Sequence, residues 1–186
     1  MTLDHFKILD EKVTYTGREL RGGWVREMTG LGGDAAVAFV GPCRVATDDL
    51  VDLDDARAGD TIDAAEMAHV VVEHPNCTLQ AAVLRQRLLV CILCVILEES
   101  GIATRRDGDD VYVKDRKLTV SIAAPSRSSC LIHLGVNVDP AGAPVAAVGL
   151  DELGVPAVDV LEILLNRYKD ELDSAAYAET KVRSVD

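Results

Sequence analysis

Residues 108–139 read GDDVYVKDRKLTVSIAAPSRSSCLIHLGVNVD, and this stretch decides the predicted fold. Polar and apolar residues alternate in three of its segments, which is the pattern of half-buried β-strands. The predicted strands are Asp110–Val113, Lys117–Ala123 and Cys130–Val138. Because only short turns join them, we expect an antiparallel meander.

The second and third predicted strands each have an apolar face, expected in the core, and a polar face. Leu118, Val120 and Ile122 form the apolar face of the second strand. If the two strands are neighbours, a cation, a hydroxyl, an imidazole and an amide meet on the polar side and could bind an anion. These candidates are Lys117, Ser121, His133 and Asn137. A sheet face open to water is the alternative interpretation.

Three further strands are predicted upstream, from β-branched and apolar runs. The glycine-rich residues 17–33 are expected to form a loop, and Gly41 and Pro42 to end one of the strands. Residues 47–63 contain seven aspartates, which predicts a solvated acidic connection. The predicted strands are Phe6–Leu9, Ala35–Val40 and Met67–Glu73.

Two long helices are predicted. The first is capped by Asn76 or Thr78 and ends at Gly101. Its residues 88–97 are all apolar, about half the length that a membrane span needs, so we expect a helix buried on all sides in the core. The second helix has Asp159 as its expected cap and one apolar stripe, which comprises Leu161, Leu164, Leu165, Tyr168 and Leu172.

Composition limits the range of functions. The length of 186 residues fits a single domain covering residues 1–186. Asp and Glu total 31 against 19 Lys and Arg, and this net charge of -12 repels phosphate backbones and anionic lipids. We therefore expect neither nucleic acid nor a membrane as a partner. The start of the chain lacks the apolar run of a signal peptide, so a cytoplasmic location with reduced cysteines is expected.

The central region is similar to lipoate and biotin ligases, through GDDVYVKDRKLTVSIA at 108–123 followed by HLGVNVD at 133–139. In those ligases an asparagine-aspartate or similar pair, a strand, a lysine and a G-x-N strand follow one another. The resemblance implies that Lys117 contacts an acyl-adenylate or thioester and that Asn137 lies near the nucleotide. Asp109 and Asp110 stand at the position of that pair and are cofactor-binding candidates.

A wider resemblance runs from about Tyr15 to Lys181. Through GPC at Gly41, RQRLLV at Arg85, and SIAAPSRSSCLIHLGVN, the chain resembles the family called domain of unknown function 366. The implied fold is α+β, like that of class II aminoacyl-tRNA synthetases and biotin/lipoate ligases, with a mixed, largely antiparallel sheet packed by helices.

Other candidates lie outside the central stretch. GRELRGGW, residues 17–24, is similar to the Gly- and Arg-rich loop of biotin ligases, in which Arg18, Arg21 and Trp24 could help to hold a phosphate or carboxylate. An ordinary surface loop is the alternative. Glu73 and His74 pair an acid with an imidazole, as a general base requires, although a structural role is equally consistent with the sequence.

The remaining charged and sulfur-containing residues are open to simpler interpretations. Arg85 and Arg87 could bind an anion or pair with the two aspartates of the central stretch. No metal site is predicted, because Cys91 and Cys94 fall inside the buried helix and Cys130 is expected to be a packed thiol. A scattered zinc site stays open as an alternative, with ligands drawn from Cys43, Cys77, His69 and His74.

The first functional hypothesis is a small-molecule acyl or nucleotidyl transferase, or a ligase-like enzyme, that uses ATP or an acyl-adenylate or thioester. Lys117 would stabilise developing negative charge, and His133 or His74 would carry protons. Arg18, Ser121 and Asn137 would orient the substrate. The alternatives are a noncatalytic metabolite-binding module and a structural protein that forms a homodimer.

Overall fold

The computed structural model describes Leu3 and residues 5–186. It contains eight strands, five α-helices and a 3-10 helix at Thr47–Asp49. The strands are β1 His5–Ile8, β2 Ala35–Val45, β3 Ile62–Pro75, β4 Arg105–Asp107, β5 Asp110–Val113, β6 Arg116–Lys117, β7 Thr119–Pro125 and β8 Ser129–Asp139. The helices are α1 Trp24–Thr29, α2 Leu53–Ala58, α3 Leu79–Glu99, α4 Leu150–Leu153 and α5 Ala157–Thr180.

The main sheet has five strands in the order β1-β2-β3-β8-β7. β1 pairs with β2 in parallel, and the other neighbours are antiparallel. β4, β5 and β6 form a separate small antiparallel sheet. The predicted α+β class with a mixed, largely antiparallel sheet is therefore confirmed.

Both faces of the main sheet are covered by apolar side chains. One face of β3 and β8, which includes Val70 and Leu134, packs with α3 and α5 in the larger core. The opposite face, which includes Met67 and Val71, packs with Phe39, Tyr15 and Trp24 in a smaller core. Strands buried on both faces have near-continuous apolar sequences, and the valine run 70–72 of β3 follows this rule.

Two strands of the N-terminal half, β2 and β3, are longer than predicted, whereas β1 has the predicted length and begins one residue earlier. β2 continues through Gly41 and Pro42 to Val45, because its pairing with β3 shifts between Gly41 and Cys43, where a missing proline N–H is tolerated. Residues 17–33 contain the short helix α1, and residues 47–63 contain α2. The side chain of Asp52 caps α2, accepting from the N–H groups of the two residues 54 and 55.

The predicted three-stranded meander is wrong in two respects. Its first strand belongs to another sheet, and the side chains of its second strand are not divided between the two faces as predicted. β5 belongs to the small sheet, and Leu118 separates β6 from β7. Leu118 donates its N–H to the carbonyl of Val111 and accepts from the N–H of Asn137. Because of this break in the strand, Leu118 packs in the larger core, whereas Val120 packs against the smaller core on the other face.

The shift in phase changes which β7 side chains accompany those of β8. Directly opposite residues of an antiparallel pair point to the same face. Ile122 is opposite His133, and Ser121 is opposite Leu134. Ser121 therefore lies on the α3 side of the sheet, not on the face of His133 as the alternation had predicted.

The two long helices form largely as predicted. Thr78 caps α3, and Gly101 follows its end with a left-handed φ of 80°. In α5 the apolar stripe is buried, but Pro156 holds the cap position and Asp159 lies in the first turn. The expectation that α3 is buried on all sides is wrong, because Val95 is 46% exposed.

By length and composition α3 is also the one helix of the described residues that would suffice to span a membrane. It packs against β7, β8 and α5, as a helix in the core of a folded domain does.

Candidate functional site

A cavity of about 400 Å³ lies at the end of the main sheet where β7 and β8 meet residues 45–63 and 143–147. Met67 of β3 and His133 and Asn137 of β8 contribute to its lining. β7 is the edge strand, and residues from both of its faces reach the cavity. Six of the sequence-predicted residues therefore meet here, namely Asp109, Asp110, Lys117, Ser121, His133 and Asn137.

Lys117 is held in place through its backbone. Its N–H donates to the carbonyl of Ala146, and its carbonyl accepts from Val148 N–H at 3.0 Å and from the Asn137 side-chain amide at 3.3 Å. Its Nζ lies 3.0 Å from Oδ2 of Asp110, and the side chain is 29% exposed. The lysine is thus fixed at its base, while its amine can reach into the cavity.

Tyr15 and His133 form one wall of the cavity, and buried His69 contacts His133 without lining the cavity itself. His69 Nε2 lies 3.3 Å from the carbonyl of Gly41, and His69 Nδ1 lies 3.1 Å from Nε2 of His133. The ring of Tyr15 stacks on that of His133 at 3.9 Å between centroids. Tyr15 is placed there by a parallel bridge with Cys43, next to the shift in β2.

Burial keeps both of these histidines neutral. It lowers the pKa of His69 to about 3, and it lowers the pKa of His133 well below its usual value, with a further contribution from His69. A carbonyl oxygen only accepts hydrogen bonds, so the hydrogen of neutral His69 is on Nε2. His69 Nδ1 is then an acceptor, and His133 must donate to it from Nε2.

Carboxylates surround the rest of the cavity. Among the described residues, its lining includes seven aspartates, one lysine and no arginine. Asp109 pairs with Arg87 at 2.9 Å, and burial raises the pKa of its carboxyl despite that partner. Burial, reinforced by Asp52 and Asp60, also raises the pKa of Asp55. The cavity is therefore acidic, which differs from the anion-binding surface that the sequence predicts.

The predicted loop candidates do not line the cavity. Arg18 is exposed and pairs with Asp49 at 3.0 Å, while exposed Arg21 pairs with Glu27. Trp24 is buried and meets Phe39 edge-on, at 5.9 Å between ring centroids. Gly17 and Leu20 of the loop line the cavity, whereas the three candidate side chains contact other parts of the protein.

Glu73 ties this loop to the sheet. Both of its carboxylate oxygens accept from the Gly23 N–H at 3.0 Å, and one of them accepts from the Ser129 hydroxyl at 2.7 Å. Hydrogen bonds to a charged acceptor are stronger than neutral ones. The carboxylate therefore orders the start of α1, and Glu73 itself does not line the cavity.

Replacing Glu73 by alanine should loosen the loop and lower the free energy of unfolding by about 1–3 kcal/mol, since two donors lose their acceptor. Limited proteolysis should show faster cleavage within residues 17–24. Glu27→Ala, which removes an exposed acid from the same region, is the control and should leave the cleavage rate unchanged. Equal protection of the Glu73→Ala protein would contradict this role.

His74 lies in a separate buried cluster. Its Nδ1 is 2.5 Å from Oδ1 of Asp34 and its Nε2 is 3.2 Å from the hydroxyl of Tyr168 in α5. Burial lowers the pKa of His74, against the opposing effect of Asp34. Arg85 approaches the same aspartate at 3.6 Å. The structure thus joins β3 to α5 through His74 and does not bring this histidine to Lys117.

The five cysteines form no disulfide in the described part of the chain. All five cysteines are free thiols, and buried Cys130 contacts the Cys77 carbonyl oxygen at 3.1 Å. Burial raises the pKa of Cys43 to about 12. Within residue 3 and residues 5–186, no three His, Cys, Asp or Glu side chains are grouped as metal ligands.

Sequence reasoning did not single out Tyr15, or the aspartates of residues 49–63 as part of a site. Tyr15 reaches the cavity through its pairing with Cys43, and no local pattern indicates such a long-range contact. His69 had a usable signal, since Met67, His69 and Val71 alternate on one face of β3. The structure confirms that all three are buried.

Comparison with known proteins identifies close relatives. The chain is 37% identical over 171 residues to the uncharacterized protein MJ0805 of Methanocaldococcus jannaschii, covering 88% of this chain and 77% of the relative. A solved protein of unknown function from Pyrococcus horikoshi superposes with a TM-score of 0.91 at 34% identity. That match covers 97% of this chain and all of the other.

More distant solved structures share the fold. The biotin protein ligase of Aquifex aeolicus in complex with biotin and ATP has a TM-score of 0.56 at 16% identity, over 91% of this chain and 71% of the ligase. A lipoate-protein ligase A bound with ATP has a TM-score of 0.55 at 13% identity, over 91% and 86%. The predicted biotin/lipoate ligase-like scaffold is confirmed.

The family assignment rests on most of the chain. A sequence model of one family matches residues 5–183, which includes the central stretch, the loop and both long helices. The predicted resemblance is confirmed, and the chain belongs to the family described as Domain of unknown function (DUF366).

Proposed function

We propose that this protein is a ligase-like enzyme that transfers an acyl group from a small activated donor bound in the sheet cavity. The observation that carries the proposal is Lys117, the one lysine or arginine of the lining among the described residues, held through its backbone beside the cavity. The ligases that share the fold are described as complexes with biotin and ATP, or with ATP.

The proposed chemistry uses the lysine to stabilise charge. When a nucleophile attacks the acyl carbon, negative charge develops on the carbonyl oxygen, and an ammonium group fixed nearby lowers the energy of that state. The bond from acyl carbon to adenylate oxygen or thioester sulfur then breaks, and the leaving group takes the electron pair. To act in this way, Lys117 Nζ exchanges its contact with Asp110 for the substrate oxygen.

A free nucleoside triphosphate fits this lining poorly. Its phosphates would meet seven aspartates and a single lysine, and like charges disfavour such a site. Exposed Arg18 pairs with Asp49 of the lining and exposed Arg21 pairs with Glu27, but neither arginine lines the cavity itself. We therefore propose that the cavity binds an acyl-adenylate or an acyl thioester in preference to ATP, and that the protein transfers the acyl group and not a nucleotidyl group.

A noncatalytic metabolite-binding module is the second candidate, and the state of the histidines favours it. His133 and His74, the expected proton carriers, are buried and neutral, with pKa values lowered by burial. Under either candidate the partner is a small molecule in a cytoplasmic protein, and the net charge of -12 disfavours nucleic acid and anionic membranes. We also propose that the protein forms a homodimer.

Thermal unfolding with and without ligands tests where the ligand binds. Wild type and Lys117→Ala are heated with octanoate, lipoate, biotin, ATP and non-hydrolysable acyl-adenylate analogues, with and without Mg²⁺. A ligand present at 100 times its Kd stabilises by about 2.7 kcal/mol, which is a measurable shift in Tm. The proposal predicts a shift with acyl-adenylate analogues that Lys117→Ala loses. An equally large Tm shift in Lys117→Ala would contradict the proposal. So would the absence of a Tm shift of the wild type with every one of these ligands.

A further inference from the structure

The cavity presents hydrogen-bond acceptors that the protein itself does not use. With His133 Nε2 donating to His69, the other ring nitrogen of His133 carries a lone pair and no hydrogen. Among the described residues, no donor reaches this Nδ1, although the histidine is 97% buried, with a relative exposure of 3%. An acceptor without a protein donor, in a buried residue that lines the cavity, is suited to a donor on a ligand.

Asn137 provides a second acceptor. Its side-chain NH₂ donates to the carbonyl of Lys117, which fixes the orientation of the amide and leaves Oδ1 as its acceptor. In the described part of the chain, no donor meets that oxygen, and the residue has a relative exposure of only 5%. Both acceptors belong to β8, and both residues line the cavity.

Charge at the cavity points to the same class of ligand. Asp55 and Asp60 line it, and neither belongs to an ion pair of the described residues. Asp55 lies close enough to Lys117 and Asp110 for their charges to affect the pKa of its carboxyl. Since Lys117 already has Asp110 as its partner, the unmatched groups of the cavity are acceptors and negative charges.

We propose that the cavity recognises an organic cation, a small molecule with a protonated amine or amidine nitrogen whose N–H groups meet these acceptors. This inference rests on the proposed function and deepens it, because it makes an amine the acyl acceptor. In that reaction the protonated amine first gives one proton to a carboxylate or to water. The neutral nitrogen then bonds to the acyl carbon, the bond to the leaving group breaks and the leaving group takes the electron pair, and the second proton lost by nitrogen passes to the leaving group or to water.

Calorimetric titration at pH 7.5 and low salt tests the inference. The probes are 1,4-diaminobutane and agmatine, compared with the neutral 1,4-butanediol and the dianion succinate. The two cations should bind, the diol and succinate should not, and added salt should weaken binding because the attraction is between charges. Equal or tighter binding of butanediol or succinate, or no binding of either cation, overturns the inference.

Variants of α2 locate the site. Asp55→Asn should weaken cation binding about tenfold, as expected when one favourable charge contact is lost. The matched control is Asp54→Asn, which changes the neighbouring acid whose side chain is 92% exposed, and its Kd should be unchanged. Equal Kd values for wild type and Asp55→Asn would also overturn the inference. Cation binding without acyl transfer would refute only the proposed function, whereas acyl transfer without cation binding would refute only the inference.

Discussion

Replacing Gly41 by alanine is expected to lower the free energy of unfolding by about 3 kcal/mol and to disrupt the cavity. A Cβ at this position would lie 2.1 Å from the carbonyl oxygen and 3.0 Å from the carbonyl carbon of Val13, which are backbone atoms that cannot rotate away. The segment from Val13 to Tyr15, whose backbone approaches Gly41, would have to move. Since Tyr15 stacks on His133, the wall of the cavity would move with it.

Urea unfolding of wild type and Gly41→Ala measures the effect. The control is Gly32→Ala, where the added Cβ meets nothing within 4 Å and the backbone has no left-handed φ. That change should alter stability by less than about 0.5 kcal/mol, or raise it slightly by restricting the unfolded chain. If the two variants are equally stable, the expected steric conflict between a Cβ at position 41 and the backbone of Val13 is contradicted.

Mild acid should destabilise the protein strongly, because three of its four histidines are buried and neutral. Burial lowers the pKa of His69, His74 and His133 in the folded state, whereas in the unfolded chain each titrates near pH 6.5. Below that pH the unfolded state binds more protons, so stability falls as the pH falls toward the folded pKa. At pH 5 the loss is about 2 kcal/mol for each histidine that stays neutral.

Unfolding by urea at pH 7 and pH 5 tests this expectation. His69→Gln keeps an N–H donor for the Gly41 carbonyl but removes one proton-binding group, so its loss of stability between the two pH values should be smaller. His5→Gln, at an exposed position on β1, should show the full loss. The raised pKa values of Asp55 and Asp109 act in the opposite direction. Unchanged stability of wild type at pH 5 would contradict neutral burial of the histidines.

Much of the fold follows from local sequence patterns. The valine run 70–72 and the alternation in 130–138 predict β3 and β8, and the apolar residues 88–97 predict α3, because these patterns depend on burial alone. The phase of β7 could not be predicted, since Leu118 leaves the strand to pair with Val111 and Asn137. Such a break depends on contacts between segments and has no signature in the alternation of residues.

The candidate site was predictable to the extent that Lys117 comes just before β7 in the chain, and β7 pairs with β8, which holds His133 and Asn137. Lys117, His133 and Asn137 meet at the cavity because β6, β7 and β8 follow one another along the chain. The acidic wall was unexpected because residues 47–63 fold back over the sheet, while their composition predicts only a solvated segment. The charge of the cavity, and with it the expected class of ligand, is therefore a property of the tertiary structure.

Turnover is the most direct test of the central claim, that Lys117 serves acyl transfer in this cavity. Acyl-adenylates and acyl thioesters of octanoate, lipoate and biotin are incubated with enzyme and amine acceptors, and donor consumption is followed by mass spectrometry. We predict turnover by wild type, a roughly 100- to 1,000-fold lower kcat/KM for Lys117→Ala at unchanged Tm, and no change for Lys7→Ala, at an exposed position on β1. Full turnover by Lys117→Ala, or binding of donors by wild type without their consumption, would contradict the account.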